Sequence, residues 1–295
     1  MGENRVFLSI VTPTYNRAEL LKKCYQSLMV QTEKNFEWVI VDDGSSDNTW
    51  EVISSFQADF PIYCIHKENG GKHTALNASH EHIHGRYVLI LDSDDYLVPT
   101  AVAQVKAAWD TYIENPEIGM VVLLKGSAPD KPNCIAPTPN TCVDILRYRR
   151  KVIRSGDCCE VIPAELFLKY PFPIFEGERF LSEGVLWHRV GMTHKCVYIN
   201  SVIYICEYLD NGLTRSGRAM RIRNPLGGMY NSEICMQKKN YLKQRIKKGL
   251  LYCCYGYFAG MSARKIFGGA KYKALTAICL LPGYLLYLYW KKKYL

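Results

Sequence analysis

The sequence lacks the spacings that would place its cysteines in a familiar class of site. It holds 12 cysteines, but no two of them form a Cys-x-x-Cys pair, which argues against a zinc ribbon or a thioredoxin-like redox pair. Only Met-Gly-Glu-Asn-Arg precedes the first apolar run, with no apolar signal segment. We therefore expect reduced, mostly buried thiols in a cytosolic protein rather than a disulfide framework.

Acidic residues are almost absent from the last part of the chain. Residues 1–214 carry 20 Lys and Arg against 27 Asp and Glu, whereas residues 215–295 carry 17 against Glu233 alone, within a net charge of +9. A cationic tail on an acidic body predicts an anionic partner for the tail. Because the tail is also apolar and rich in tyrosine, a membrane surface is favoured as this partner over nucleic acid.

The tail also lacks an apolar run of the usual membrane-spanning length. Its longest uncharged run, Ala274–Trp290, has 17 residues and contains Pro282, whereas a spanning helix needs about 20 apolar residues. Lysines flank both ends, so the positive-inside rule gives no orientation. We predict basic amphipathic helices over 216–295 that lie peripherally on the cytoplasmic face of the cell membrane. A single C-terminal transmembrane anchor is the alternative.

Three apolar strands each run into polar or acidic residues. Such short apolar runs are typical of strands buried on both faces, and segments at helical spacing separate them. The alternation predicts an α/β fold, a mostly parallel sheet flanked by helices, with a ligand crevice outside the carboxyl ends of the strands. The strands and the residues that follow them are Val6–Val11 with Thr12–Asn16, Phe36–Val41 with Asp42–Asp47, and Tyr87–Leu91 with Asp92–Asp95.

The last of these strand ends is the most acidic. Asp92, Asp94 and Asp95 would repel one another beside a buried strand unless a cation lies among them. Mg²⁺ and Mn²⁺ bind one or two carboxylates and fill the remaining positions with phosphate oxygens and water. The pattern therefore predicts a metal-diphosphate site, although a solvated acidic turn standing alone would give the same residues.

Four ordered segments resemble the family 2 glycosyltransferases: Thr12–Arg17, Val41–Asp47, Asn69–Lys72 with Asn77, and Asp92–Asp95. The resemblance is close over Leu8 to Pro99 and thinner as far as Thr214. It implies the GT-A fold, which is Rossmann-like, an inverting reaction, a UDP-sugar donor, and Mn²⁺ or Mg²⁺ as cofactor. The chain lacks the Gln-x-x-Arg-Trp motif of processive members, so we expect one sugar to be added per encounter.

The resemblance also implies how the nucleotide would be held. Pro13, Tyr15 and Asp43 would line the nucleoside pocket, where Tyr15 stacks near the base and Asp43 accepts a hydrogen bond from the uracil imide. Lys72 follows a glycine pair at an expected helix start, where anions bind favourably, and could counter the diphosphate charge. An ordinary exposed lysine is an equal alternative at that position.

The metal and the phosphates have their own candidate residues. Asp92-Ser93-Asp94 matches the DxD motif of the family. The match implies that Asp94 binds the metal directly and that Asp92, a second candidate ligand, lies closer to the ribose. The family loop that folds over the donor resembles the stretch before Thr214 and Arg215, which makes these two residues candidate phosphate contacts.

An inverting transfer also needs a carboxylate that takes the proton of the acceptor hydroxyl. Glu183 aligns best with the base of the family, and Glu176 and Glu178 are rivals. All three could instead be ordinary loop acids. Ser182 is expected to cap a helix that carries Glu183 in its first turn.

These features predict three parts: a donor-binding half over 1–125, an acceptor and base half of the same domain over 126–215, and the tail over 216–295. The expected function is transfer of one sugar to a lipid-linked glycan in bacterial surface polysaccharide assembly. A sugar-phosphate nucleotidyltransferase is an alternative, but Thr12–Arg17 lacks the Gly-rich loop that holds a triphosphate. A non-catalytic, membrane-bound nucleotide-sugar-binding protein is the other.

Overall fold

The computed structural model describes residues 6–149, 151–153, 156–206 and 213–295, without the side chains of 213–216. The chain divides into one unit over Met1–Phe172 and Val190–Tyr208, and a second over Pro173–Arg189 and Leu209–Leu295. Strands within 126–205 join the sheet begun by the N-terminal strands, so the first unit continues past residue 125. The predicted parts 1–125, 126–215 and 216–295 stay a prediction.

The first unit alternates strands and helices along the chain. Its elements are β1 Leu8–Thr14, α1 Ala18–Met29, β2 Phe36–Asp42, α2 Thr49–Ser54, β3 Ile62–His66, α3 Lys72–Ala78, β4 Tyr87–Ile90, β5 Tyr96–Leu97, α4 Ala101–Tyr112, β6 Ile118–Ala128, β7 Lys131–Pro132, β8 Cys142–Val143, α5 Ile145–Tyr148, β9 Cys158–Pro163, α6 Ala164–Lys169 and, after α7 Gly184–Thr193, β10 Lys195–Ile205. A 3-10 turn, Ser79–His82, follows α3.

The described strands form one sheet in the order β3-β2-β1-β4-β9-β6-β10-β5, with β7 beside β6 and β8 beside β10. Strands β3, β2, β1 and β4 run parallel, as predicted. The register pairs Thr14 with Asp42 and Val11 with Ile90. The residues that follow β1, β2 and β4 therefore meet at one edge of the sheet.

The centre of the sheet is buried on both faces. Every residue of β1, β2 and β4 is buried, which explains their nearly continuous apolar sequences. Leu21, Cys24 and Leu28 recur at helical spacing on α1 and are fully buried in the same core, with Trp38 of β2 among their neighbours in it. This packing fixes the strand ends from which the candidate site is built.

The second unit is helical. Its elements beyond the first part of α7 are α8 Leu213–Arg223, α9 Pro225–Ile234, α10 Leu242–Phe258, α11 Ala263–Gly269 and α12 Lys273–Tyr294. The predicted helices of the tail are therefore present. They surround an apolar core of their own, however, in which α10 contributes the buried residues Tyr252, Cys253, Cys254 and Tyr255. The apolar part of α10 is directed into this core.

Candidate functional site

The acidic segment after β4 forms a tight turn that is tied to the sheet. The backbone N–H of Asp95 donates to the carbonyl of Asp92 over 3.0 Å. The N–H of Asp92 donates to the hydroxyl of Tyr204 on β10 over 2.8 Å. Asp95 is buried, whereas the side chains of Asp92 and Asp94 are 29% and 25% exposed. The turn therefore presents two accessible carboxylates above a buried third.

Three cationic side chains lie against this turn. Lys72 at the start of α3 contacts Asp92 Oδ1, and Lys125 Nζ on β6 lies 3.8 Å from Asp92 Oδ2. Arg17 Nη1 lies 3.4 Å from Asp94 Oδ2. Burial disfavours the charge of Asp92, but the two lysines outweigh it and lower its pKa to about 2. The structure thus places Lys72 beside the DxD carboxylates rather than exposed on its own.

The pKa of Asp95 shows that the three cations do not fully balance the negative charge of the turn. Burial, together with the charges of Asp92 and Asp94, raises the pKa of Asp95 to about 7, although Lys125 acts in the opposite direction. A third carboxylate is therefore costly to ionise here until more positive charge arrives. A divalent cation would supply that charge, so the donor chemistry of the turn fits Mg²⁺ or Mn²⁺.

Asp92 and Asp94 are the two accessible carboxylates that the turn offers as metal ligands. Among the described residues there is no ready cluster of three His, Cys, Asp or Glu side chains that could hold a metal. Mg²⁺ and Mn²⁺ are commonly bound through one or two carboxylates, with phosphate oxygens and water completing the shell. Asp94 and Asp92 suit a cation that arrives with a diphosphate.

Asp43, after β2, is held by the loop that leads into α3. Its Oδ1 accepts hydrogen bonds from Lys67 Nζ at 2.7 Å and from the Gly70 N–H at 3.0 Å. Its Oδ2 accepts from the Gly71 N–H at 2.7 Å. Gly71 has a φ of +92°, which favours glycine. The Asn-Gly-Gly-Lys motif therefore orients Asp43, and the contact of Asp43 with uracil stays a prediction.

Pro13 and Tyr15 lie at the end of β1, next to Asp43. Pro13 is paired with Val41 in the register of β1 and β2, and the Asp43 N–H donates to the Thr14 carbonyl over 2.9 Å. Tyr15 is 46% exposed. An exposed aromatic ring at the strand end provides a surface on which a base could stack.

In the second unit, Glu178 has a structural partner. Its carboxylate accepts hydrogen bonds from the backbone N–H groups of Leu226 at 2.6 Å and Gly227 at 2.8 Å. These N–H groups belong to the first turn of α9 and have no acceptor within the helix, so a carboxylate there stabilises the helix end. Burial raises the pKa of Glu178 above its usual value, and the two backbone hydrogen bonds offset only part of this increase.

Glu183 lies directly before α7, one residue outside the helix in which we expected it. The helix begins at Gly184, whose N–H is 3.3 Å from the Ser182 hydroxyl, and the Glu183 carbonyl accepts from the Leu186 N–H over 2.8 Å. Glu183 is partly buried and Glu176 is exposed. The assignment of Glu183 as base stays a prediction.

Three other predicted residues are placed less fully. Ser93 is buried within the acidic turn, and its role stays a prediction. Thr214 and Arg215 belong to the first turn of α8, but their side chains lie outside the described part of the chain.

The sequence pointed to neither Lys125 nor Tyr204 as a site residue. Lys125 is a lone charge that follows the buried apolar run of β6 and lies 3.9 Å above the Tyr204 ring centroid. That isolated charge is the feature of the sequence that could have identified Lys125 as a site residue. Arg17 lay within a recognised motif, but nothing in the motif indicated its ion pair with Asp94.

Residues 9–115 match the model of the family described as glycosyl transferase family 2. Glycosyltransferase GlyG of Streptococcus pneumoniae serotype 4 is 39% identical over 228 residues, which cover 72% of this chain and 73% of GlyG. The chain therefore belongs to glycosyl transferase family 2, which confirms the resemblance. Several other curated relatives are much longer, and the matched segments span only 10% to 15% of their length.

Solved structures agree on the fold. TarS 1–349 of S. aureus in complex with UDP-GlcNAc has a TM-score of 0.66 at 15% identity, over 97% of this chain and 92% of that one. Mannosyltransferase PcManGT of Pyrobaculum calidifontis in complex with GDP-Man and Mn²⁺ has a TM-score of 0.59 at 17% identity, over 97% and 88%. The predicted GT-A-like α/β fold is therefore confirmed.

Proposed function

We propose that this chain transfers one sugar from a UDP-sugar to an acceptor hydroxyl, with inversion at the anomeric carbon. The observation that carries the proposal is the acidic turn at Asp92–Asp95, which Lys72, Lys125 and Arg17 oppose. Carboxylates and cations side by side suit a diphosphate that arrives with a divalent metal. A neighbour of the same fold is in complex with UDP-GlcNAc, which supports UDP as the carrier.

In this proposal Pro13, Tyr15 and Asp43 hold the nucleoside, while Asp94 binds Mn²⁺ or Mg²⁺ and Asp92 lies closer to the ribose. The bound cation would neutralise charge that develops on the leaving diphosphate. The side chains of Arg17 and Lys72 are 27% and 29% exposed, so each can exchange its carboxylate partner for a phosphate oxygen. Ser93, Thr214 and Arg215 are the remaining proposed donor contacts.

Glu183 is the proposed base. It takes the proton of the acceptor hydroxyl while that oxygen attacks the anomeric carbon from the side opposite the diphosphate, which inverts the configuration. Of the two rivals, Glu176 and Glu178, the hydrogen bonds count against Glu178, because both oxygens of its carboxylate already accept from α9.

We further propose that the acceptor is a lipid-linked glycan and that the protein works peripherally at the cytoplasmic face of the cell membrane. The 17 basic residues against one acidic residue in 215–295 support an anionic surface as partner. Helix α12 is also long and apolar enough to cross a membrane by length and composition, and 22% of its most apolar window is buried.

The test of the transfer is release of UDP from a panel of UDP-sugars by the purified protein with Mn²⁺. We expect release with at least one donor, and we expect Asp94→Asn to abolish it and to weaken Mn²⁺-dependent UDP binding in calorimetry. Asp110→Asn, an exposed aspartate on α4, is the matched control and should leave both unchanged. UDP affinity that is the same with and without Mn²⁺ in all three proteins would remove the metal from the mechanism.

A further inference from the structure

Helix α12 carries an apolar face that no described part of the chain covers. Its members are three, four or one residue apart and so fall on one side of the helix. No charged residue lies between Ala274 and Trp290. We call this surface the α12 face, and its members, with their exposed fractions, are Ile278 72%, Leu281 68%, Leu285 58%, Leu288 43% and Tyr289 58%.

The opposite side of α12 is packed against α10. Cys253 Sγ lies 3.7 Å from the Thr276 carbonyl, and Cys279 Sγ lies 3.7 Å from the Ile246 carbonyl. At Gly283 the helices are so close that an added Cβ would lie 2.5 Å from Cys253 Cβ. The exposed side chains therefore lie on one side of a helix whose other side is packed against α10, and α12 is not a free helix.

This packing argues against a spanning α12. The contact of Cys279 with Ile246 puts Lys247 and Lys248, which follow Ile246 on α10, level with the uncharged part of α12. A spanning α12 would carry these lysines to the depth of the hydrocarbon, where charged side chains are costly and rare. A helix that lies in the plane of the membrane keeps α10 on the aqueous side.

The charges around the α12 face fit an anionic surface. Lys271 and Lys273 lie at one end of α12 and Lys291–Lys293 at the other, and all are exposed. An in-plane helix brings both groups to the level of the lipid headgroups at once, where each lysine adds attraction to anionic lipid. Tyr289 on the face and Tyr284 beside it are residues of the kind enriched at that level.

We propose that the α12 face inserts shallowly and in plane into the leaflet of an anionic membrane, while the core around α10 stays outside. The inference rests on the membrane surface in the proposed function and deepens it by naming the inserted residues and their orientation. Binding of a second copy of this chain to the same face is the alternative outcome that the test must distinguish from vesicle binding.

The first test is flotation of the full-length protein with sealed phosphatidylcholine vesicles, with and without phosphatidylglycerol. We expect binding that requires phosphatidylglycerol. Leu281→Glu should weaken it at least about tenfold, because it replaces an inserted leucine by a charge. Ile174→Glu is the matched control, since Ile174 is 65% exposed but lies outside α12, and it should bind as the unaltered protein does.

Both variants change exposed side chains, so the circular dichroism spectrum and UDP release should be unchanged. UDP release without vesicle binding would overturn the α12 inference alone. Vesicle binding without UDP release would overturn the proposed transfer alone. A dimer that Leu281→Glu dissociates, with no vesicle binding, would make the face a contact between copies and would also overturn the inference.

The second test measures orientation. A membrane-impermeant, amine-reactive reagent is added outside sealed vesicles that carry the bound protein, and the modified peptides are identified by mass spectrometry. In-plane insertion predicts modification at Lys273 and at Lys291–Lys293 alike. Modification at only one end, together with resistance to alkaline carbonate, would establish a spanning helix and refute the proposal.

Discussion

Lys125 offers a direct test of how the acidic turn is stabilised. Its side chain is 13% exposed, and its Nζ lies 3.8 Å from Asp92 Oδ2 and 3.9 Å above the Tyr204 ring centroid. Lys125→Met keeps most of the unbranched side chain but removes the charged Nζ. Coulomb's law with an effective dielectric constant of about 20 gives roughly 4 kcal/mol for unit charges at this separation.

The net effect is smaller than the Coulomb energy, because burying the lysine has its own cost. We expect the free energy of unfolding to fall by about 2 kcal/mol and Mn²⁺-dependent UDP affinity to fall roughly tenfold, since Asp92 loses a charge that orients it. Urea denaturation and calorimetry measure the two quantities.

The matched control is Lys106→Met. Lys106 Nζ lies 3.6 Å from Glu33 Oε2, but its side chain is 42% exposed, and exposed pairs contribute roughly 0–1 kcal/mol. The reasoning is refuted if the two variants lose the same stability, because burial would then not distinguish the two pairs.

The loss of stability in Lys125→Met should depend on pH, and the pKa of Asp92 gives the direction of that dependence. The folded pKa of Asp92 is about 2, below the value near 3.9 of an unperturbed aspartate. The stability that Lys125 lends to Asp92 is therefore complete above about pH 4 and is lost as the pH falls through about 2. The penalty of Lys125→Met should be full at pH 7 and smaller at pH 3 in urea denaturation.

Two further substitution pairs separate catalysis from packing. Glu183→Gln should lower kcat by roughly 10²–10⁴ without changing the melting temperature. Glu178→Gln should lower the free energy of unfolding by about 1–2 kcal/mol, because α9 loses its carboxylate, and should leave kcat unchanged. The reverse pattern would make Glu178 the base. Gly283→Ala should destabilise the protein by about 1–3 kcal/mol, because the added Cβ would overlap Cys253. The control Gly268→Ala should not, because its added Cβ meets no atom within 4 Å. Equal melting temperatures of the two variants would contradict this packing.

The strands around the site could be predicted because their signals are local. The apolar run before Asp92 and the one before Asp42 are strands β4 and β2 in the structure, and β2 begins at the predicted residue. Each run is closed by acidic residues within a few positions. Strand length and strand-end chemistry are properties of short segments, which a sequence displays directly.

The insertion of β9 between β4 and β6 could not be predicted in the same way. Val161 on β9 pairs with Leu89 on one side and Val121 on the other, and these partners are far apart in the chain. Lys125 and Tyr204 reach the acidic turn only through this sheet order. Pairing between distant strands depends on the whole core, so no spacing in the sequence reports it.

The packing partners in the second unit could not be predicted from the sequence either. The apolar residues of α10 suit a lipid surface or a protein core equally well, because hydrophobicity favours burial without naming the partner. The structure packs Cys253 of α10 against α12. The helix-capping role of Glu178 could not be predicted from the sequence for the same reason. It depends on Leu226 and Gly227, which follow Glu178 by 48 and 49 residues.

The hydrogen bonds of Asp43 have a consequence for the entropy of nucleotide binding. The protein's own Lys67, Gly70 and Gly71 hold its carboxylate, so little chain freedom remains to be lost when a nucleoside arrives beside it. Preorganised sites gain affinity in this way, because the cost of ordering the loop is met by folding rather than by the ligand. The amides of Gly70 and Gly71 should accordingly exchange with solvent as slowly in the free protein as in its UDP complex.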